Sequence, residues 1–98
     1  YNLSDAPKFE TSVGTIKVWQ QVKFYKTGSV KSIKAFYLEK AIVTTSKGDL
    51  QFDELFFYDT GEFMGGLVKQ KYVMFAKDGT YLGIAKYDAE SSILKISE

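Results

Sequence analysis

Ninety-eight residues of ordinary globular composition, 45% apolar and 26% charged, are enough for one domain core and too few for two. The chain has no Cys, no His and no Arg, and all thirteen positive side chains are Lys. That excludes a disulfide framework, a thiolate nucleophile, a Cys-ligated metal, a His general base and bidentate Arg recognition of phosphate. The composition therefore argues against an enzyme and against nucleic acid as a partner.

In chain order, Tyr1 to Lys8 holds the only Pro, Pro7, and reads as a loosely held lead-in to a single domain spanning 1–98. The chain opens at Tyr1 and not at Met, which favours a removed secretion signal and a periplasmic or extracellular location. No run reaches the roughly 18 apolar residues of a membrane span. Ile16 to Phe24 carries Ile16, Val18, Val22 and Phe24 on one parity and Lys17 and Lys23 on the other, the period-2 pattern of a half-covered strand. Val30 to Tyr37 and Ala41 to Thr45 follow as strands, joined by a tight turn at Leu38-Glu39-Lys40. Leu50 to Tyr58 is apolar on both parities at Leu55-Phe56-Phe57, as expected of a central strand covered on both faces. Phe63 to Phe75 is interrupted by Gly65-Gly66, a turn or a bulge. Tyr81 to Tyr87 and Ile93 to Ile96 complete the strands, and only Asp88 to Lys95 offers a short helical turn.

The turns share a pattern. Phe24-Tyr25-Lys26-Thr27-Gly28-Ser29-Val30 is matched by Phe57-Tyr58-Asp59-Thr60-Gly61-Glu62-Phe63 and by Phe75-Ala76-Lys77-Asp78-Gly79-Thr80-Tyr81. Thr44 to Leu50, with Gly48, fits more loosely. A polar type I-like turn ending on Gly at positive φ explains the spacing. The fold class that follows is all-β, an antiparallel meander of β-hairpins forming a single sheet or a small roll or sandwich.

Charge is unevenly spread. Residues 1–48 carry eight Lys against Asp5, Glu10 and Glu39, whereas residues 49–98 carry five Lys against nine acids. Strands of opposite charge lying side by side would neutralise one another, and that arrangement is expected here because consecutive strands of a meander pair. The alternative is a basic patch that attracts anions.

The aromatic-pair, polar-Gly turn and Lys-rich return of Lys23 to Ser32 resembles the MORN-repeat variant of bacterial proteins labelled YwqK-like. Leu55 to Phe63 is a second partial match. The resemblance covers about half of the chain, and the glycine spacings of 20, 13 and 18 between Gly28, Gly48, Gly61 and Gly79 are less even than a regular array. It implies a meandering sheet of hairpins used as an interaction surface and carries over no binding residue.

Asp59-Thr60-Gly61 matches the triplet of aspartic proteases, in which paired carboxylates share a proton. Its sister turns carry Lys-Thr-Gly and Lys-Asp-Gly in the same slot, so the triplet reads as a hairpin turn and no catalytic residue is assigned. Asp49, Asp53, Glu54, Asp59 and Glu62 form no Asp-x-Asp-x-Asp-Gly loop, and no metal or cofactor is expected from them. Asn2-Leu3-Ser4 matches a glycosylation sequon of a kind that arises by chance. The expected function is a non-enzymatic binding module of an exported bacterial protein, taking a protein partner on an exposed sheet face or edge. Its candidate surface is Lys17, Trp19, Lys23, Tyr25, Lys31 and Tyr37. The rival is a structural β protein completed by self-association.

Overall fold

The computed structural model describes residues 8–36, 41–91 and 93–96. These form ten strands: β1 (Lys8–Thr11), β2 (Gly14–Phe24), β3 (Val30–Ala35), β4 (Ala41–Thr45), β5 (Gly48–Phe52), β6 (Glu54–Phe57), β7 (Phe63–Val68), β8 (Lys71–Phe75), β9 (Tyr81–Asp88) and β10 (Ile93–Ile96). Eight of them make one antiparallel sheet in the order β1-β2-β3-β6-β7-β8-β9-β10, and β4-β5 form a separate two-stranded sheet. The large sheet is a meander of neighbours in sequence, broken once where β3 pairs directly with β6.

Three turns are built alike. Tyr25 N–H donates to Ser29 O and Gly28 N–H to Tyr25 O, at 2.8 and 2.9 Å, and the same two bonds recur at Tyr58–Glu62 and at Ala76–Thr80. This is a three-residue hairpin loop, a type I turn closed by a left-handed residue. Gly28, Gly61 and Gly79 occupy that position at φ of 95°, 101° and 93°. Each turn is followed by the same bulge. Register jumps between Phe24↔Val30 and Lys23↔Ser32, between Phe57↔Phe63 and Phe56↔Gly65, and between Phe75↔Tyr81 and Met74↔Gly83. The extra residue strengthens the local twist and coils the sheet.

Gly48 also has positive φ, 96°, but it closes a different kind of turn. Thr45 Oγ1 donates to Gly48 O and accepts from Lys47 N–H, and Thr11 makes the same pair of bonds with Gly14 O and Val13 N–H. Thr-x-x-Gly is thus a second turn unit. It forms the β1–β2 hairpin, which begins at Lys8 inside what reads from sequence as lead-in.

The core has two sides because β6 is central. Leu55, Phe56 and Phe57 are all buried, as their unbroken apolar run suggests. Leu55 and Phe57 join Ile16, Val18, Ile33, Val43, Phe52 and Phe75 on one face, under the β4–β5 hairpin. Phe56 joins Met64, Ala85 and Leu94 on the other. Ring pairs tie the first face together: Phe63 meets Phe52 at 5.1 Å and Phe57 at 5.7 Å. Offset or edge-on ring pairs at such spacing add to the area they bury.

Two expectations need correction, and one open alternative is resolved. Leu50 to Tyr58 is not one strand: it breaks at Asp53, so that β5 pairs with β4 and β6 with β3 and β7. Asp53 N–H turns to Leu67 O, and Asp53 O accepts from Ala35 N–H, which holds the kink in the sheet. Of the turn and the bulge that Gly65-Gly66 leaves open, the structure has the bulge, since the β6–β7 register shift ends at Gly65. The pair lies inside β7 where backbones approach closely, and the turn falls at Lys69-Gln70, both left-handed at φ 46° and 70°. Asp88 to Lys95 shows no helix among its described residues; β9 ends at Asp88 and β10 starts at Ile93. The expected turn at Leu38-Glu39-Lys40 and the sequon at Asn2 lie outside the described residues.

Candidate interaction surfaces

The residues singled out from sequence do not form one patch. Lys17 and Trp19 lie on β2, on the parity opposite to buried Ile16 and Val18. Trp19 is 37% exposed and sets its ring edge-on to buried Phe36, 5.4 Å between centroids. Tyr25 donates its hydroxyl to Phe57 O at 2.7 Å, and Lys31 Nζ lies 5.2 Å from the Tyr25 ring centre. Burial first, then the charge of Asp59, holds the Tyr25 hydroxyl above its ordinary pKa. Tyr58 repeats the bond one turn further on, its hydroxyl donating to Phe75 O at 2.7 Å. These two tyrosines therefore brace each turn against the next. In the third turn Ala76 occupies the place and the ladder ends. Tyr37 lies outside the described residues.

Lys23 belongs to a different group, on the second face of the large sheet. Its Nζ donates to Tyr87 Oη at 3.2 Å and stands 5.7 Å from that ring's centre. Tyr87 and Tyr72 are stacked at 6.3 Å, and both rings meet buried Phe56, at 5.8 and 6.0 Å. Register places Lys34 opposite Glu54 on the neighbouring strand. Burial pushes the Glu54 carboxyl up, with the charges of Lys34 and Lys23 and the Tyr72 hydroxyl acting in the opposite direction. The Tyr72 hydroxyl is raised in turn, by burial first and then by Glu54. Lys34 and Glu54 thus put a basic and an acidic side chain on adjacent strands, through the β3–β6 pairing where the strand order departs from the meander.

Tyr72 and Tyr87 carry no marking in the sequence, and Glu54 is singled out there only among acids that form no metal loop. They sit on β8, β9 and β6, and only cross-strand register brings them to Lys23. The alternation within each strand could place each on a face but could not say which neighbour it would meet.

Asp59 and Thr60 are exposed in a hairpin turn, where Gly61 O accepts from Ser12 Oγ at 2.8 Å. Glu62 accepts from Thr60 Oγ1. Asp49 accepts from Thr44 Oγ1 at 2.8 Å, on the separate two-stranded sheet. Among the described residues, no three acidic side chains gather into a group able to hold a metal, and no helix is long and apolar enough to cross a membrane. Compared with protein-family models, with curated proteins and with solved structures, the chain matches none.

Proposed function

We propose that the protein is a non-enzymatic binding module that takes a protein partner on the Lys–Tyr face of its large sheet. The observation that carries this is the Phe56–Tyr72–Tyr87 cluster with Lys23 on Tyr87. Phe56 is buried while both tyrosines stay partly exposed, so the rings are held in place from beneath and still offer surface. Fixed aromatic rings with a polar tip suit recognition because little side-chain entropy is lost on binding. Lys34 and Glu54 beside them supply both signs of charge at the edge of the patch.

Kinship to the MORN-repeat variant belongs to the same proposal. Three turns with one bond pattern and one bulge position support it, as does the Tyr25 and Tyr58 bracing between successive turns. The test is a photo-crosslinking residue placed at Tyr72 and, as a control, at Ile42, which is 63% exposed on β4. Crosslinks to another protein from position 72 and not from position 42 are expected. Equal crosslinking from both would refute the assignment of this face.

A second reading, self-association, draws on the edges of β1 and β10 at the two ends of the large sheet. Ile96 on β10 is 39% exposed. An edge strand can add a strand of another copy. Mass that rises with concentration, and crosslinks only between copies, would select this reading over the first.

A further inference from the structure

On the first face of the sheet, away from the Lys–Tyr cluster, the tip of the β4–β5 hairpin and the β7–β8 turn border a groove of about 400 Å³. Its floor is Leu50, Val68 and Val73, all partly buried against the core. Ile84, opposite Val73 in the β8–β9 register and 42% exposed, extends the apolar surface. The rim is Lys47, Lys69 and Lys71, all exposed, with no acidic side chain among the lining residues. Asp49 and Asp53 line an adjoining cleft that shares Leu50, Val68 and Lys69 with the groove. Lys47 Nζ stands 5.0 Å from the centre of the Tyr81 ring, which also lines the groove.

The turn that carries Lys69 is costly for its sequence. Among the described residues, Lys69 and Gln70 are the two other than glycine at positive φ, in a two-residue hairpin loop where Asn-Gly is the favoured pair. Backbone strain of this kind clusters at functional sites. Here it sets a lysine at the mouth of an apolar groove.

We propose that this groove binds a small amphiphilic monocarboxylate, its apolar body on Leu50, Val68 and Val73 and its carboxylate among Lys47, Lys69 and Lys71. Charge complementarity selects an anion, and the apolar floor selects a ligand with a hydrocarbon body over a bare ion. The volume lies at the small end of ligand pockets, which run from about 300 to 1,000 Å³, and suits a short acyl chain or a single aryl ring. Three ammonium groups without a fixed fork favour a compact carboxylate that each can approach as a point charge.

Methyl NMR of the whole chain tests this with sodium octanoate as probe. Saturable shifts at the Leu50, Val68 and Val73 methyls are expected, with octanol and inorganic phosphate each at least about ten-fold weaker. Lys69→Gly should weaken octanoate binding by up to about five-fold, the reach of one exposed charge pair, and should raise the melting temperature because Gly accepts positive φ. Lys71→Gln should weaken binding comparably without that gain in stability. A stabilised Lys69→Gly protein that binds octanoate as the parent does would overturn the proposal. So would octanol or phosphate binding as well as octanoate, or attachment to anionic vesicles with no saturable response to octanoate.

Discussion

Replacing Gly66 with Ala puts a methyl group into the backbone of the neighbouring strand. A Cβ at that position would stand 2.0 Å from Glu54 O, 3.0 Å from Glu54 C and 3.0 Å from Phe52 Cδ1. Carbon and oxygen sit comfortably at about 3.3 Å or more, so β6 and β7 must part by roughly 1 Å. The register pairs there are Leu55↔Gly66 and Glu54↔Leu67, and the adjacent Asp53 N–H to Leu67 O bond is 2.9 Å. Leu55 and Phe56 on the displaced strand are the centre of the two faces of the core, so relaxation in either direction disturbs packing. Overpacking costs about 1–3 kcal/mol, and one or two weakened ladder bonds add about 1 kcal/mol each. The expected loss is about 3 kcal/mol or more, a large share of the roughly 5–15 kcal/mol typical of a domain. At roughly 4–8 °C per kcal/mol for a chain of this size, the melting temperature should fall by about 12 °C or more. Gly61→Ala is the control. Gly61 has φ of 101°, and a methyl group there would meet nothing within 4 Å, so only the backbone cost of about 1 kcal/mol applies. Thermal and urea unfolding of the two variants measure the difference. A Gly66→Ala protein that melts within a few degrees of Gly61→Ala would refute the close-approach argument.

Tyr58→Phe should cost about 1 kcal/mol by removing the hydroxyl bond to Phe75 O while keeping the ring; urea midpoints decide it, and an unchanged midpoint counts against the bracing role. Glu54 has its folded-state pKa raised, by burial first, so the native state binds that proton more tightly than the unfolded chain. Its contribution is present below the unfolded value and lost as pH rises through the folded one, so Glu54→Gln should gain stability over the parent at neutral pH and lose that advantage in acid. Asp88 runs the other way, lowered first by the Ser91 hydroxyl and then by Lys95, whose Nζ is 3.1 Å from its carboxylate. That contribution is present above the unfolded value and lost as pH falls, so Asp88→Asn should be less stable than the parent at neutral pH and match it in acid. Melting curves between about pH 3 and pH 8 compare the two, and slopes of the same sign would contradict the assignment. Asp59→Asn, in an exposed turn, should change stability by no more than about 0.5 kcal/mol.

The turns were legible because their information is local. A polar pair followed by Gly, four residues after Phe, sets a type I turn with a left-handed close at Gly28, Gly61 and Gly79 whatever lies around it. The same holds for the outlines of β2, β4 and β10, while the apolar run Leu55-Phe56-Phe57 announces cover on both faces without marking where β6 begins. Asp53, by contrast, sits in a stretch where apolar alternation continues on either side. The chain breaks there because β5 and β6 find partners in different sheets. Lys69-Gln70 has no turn chemistry of its own and is bent because β7 and β8 pair around the close approach at Gly65, where a Cβ would lie 2.1 Å from Val73 O. The candidate sites follow the same division: Lys23 could be marked from its strand, whereas Tyr72, Tyr87 and Glu54 reach it from other strands, and Lys47, Lys69 and Lys71 border one groove only across the gap between two sheets. Backbone preference acts over a few neighbouring residues. Strand register and the side chains it brings together are set by burial summed over the whole sheet.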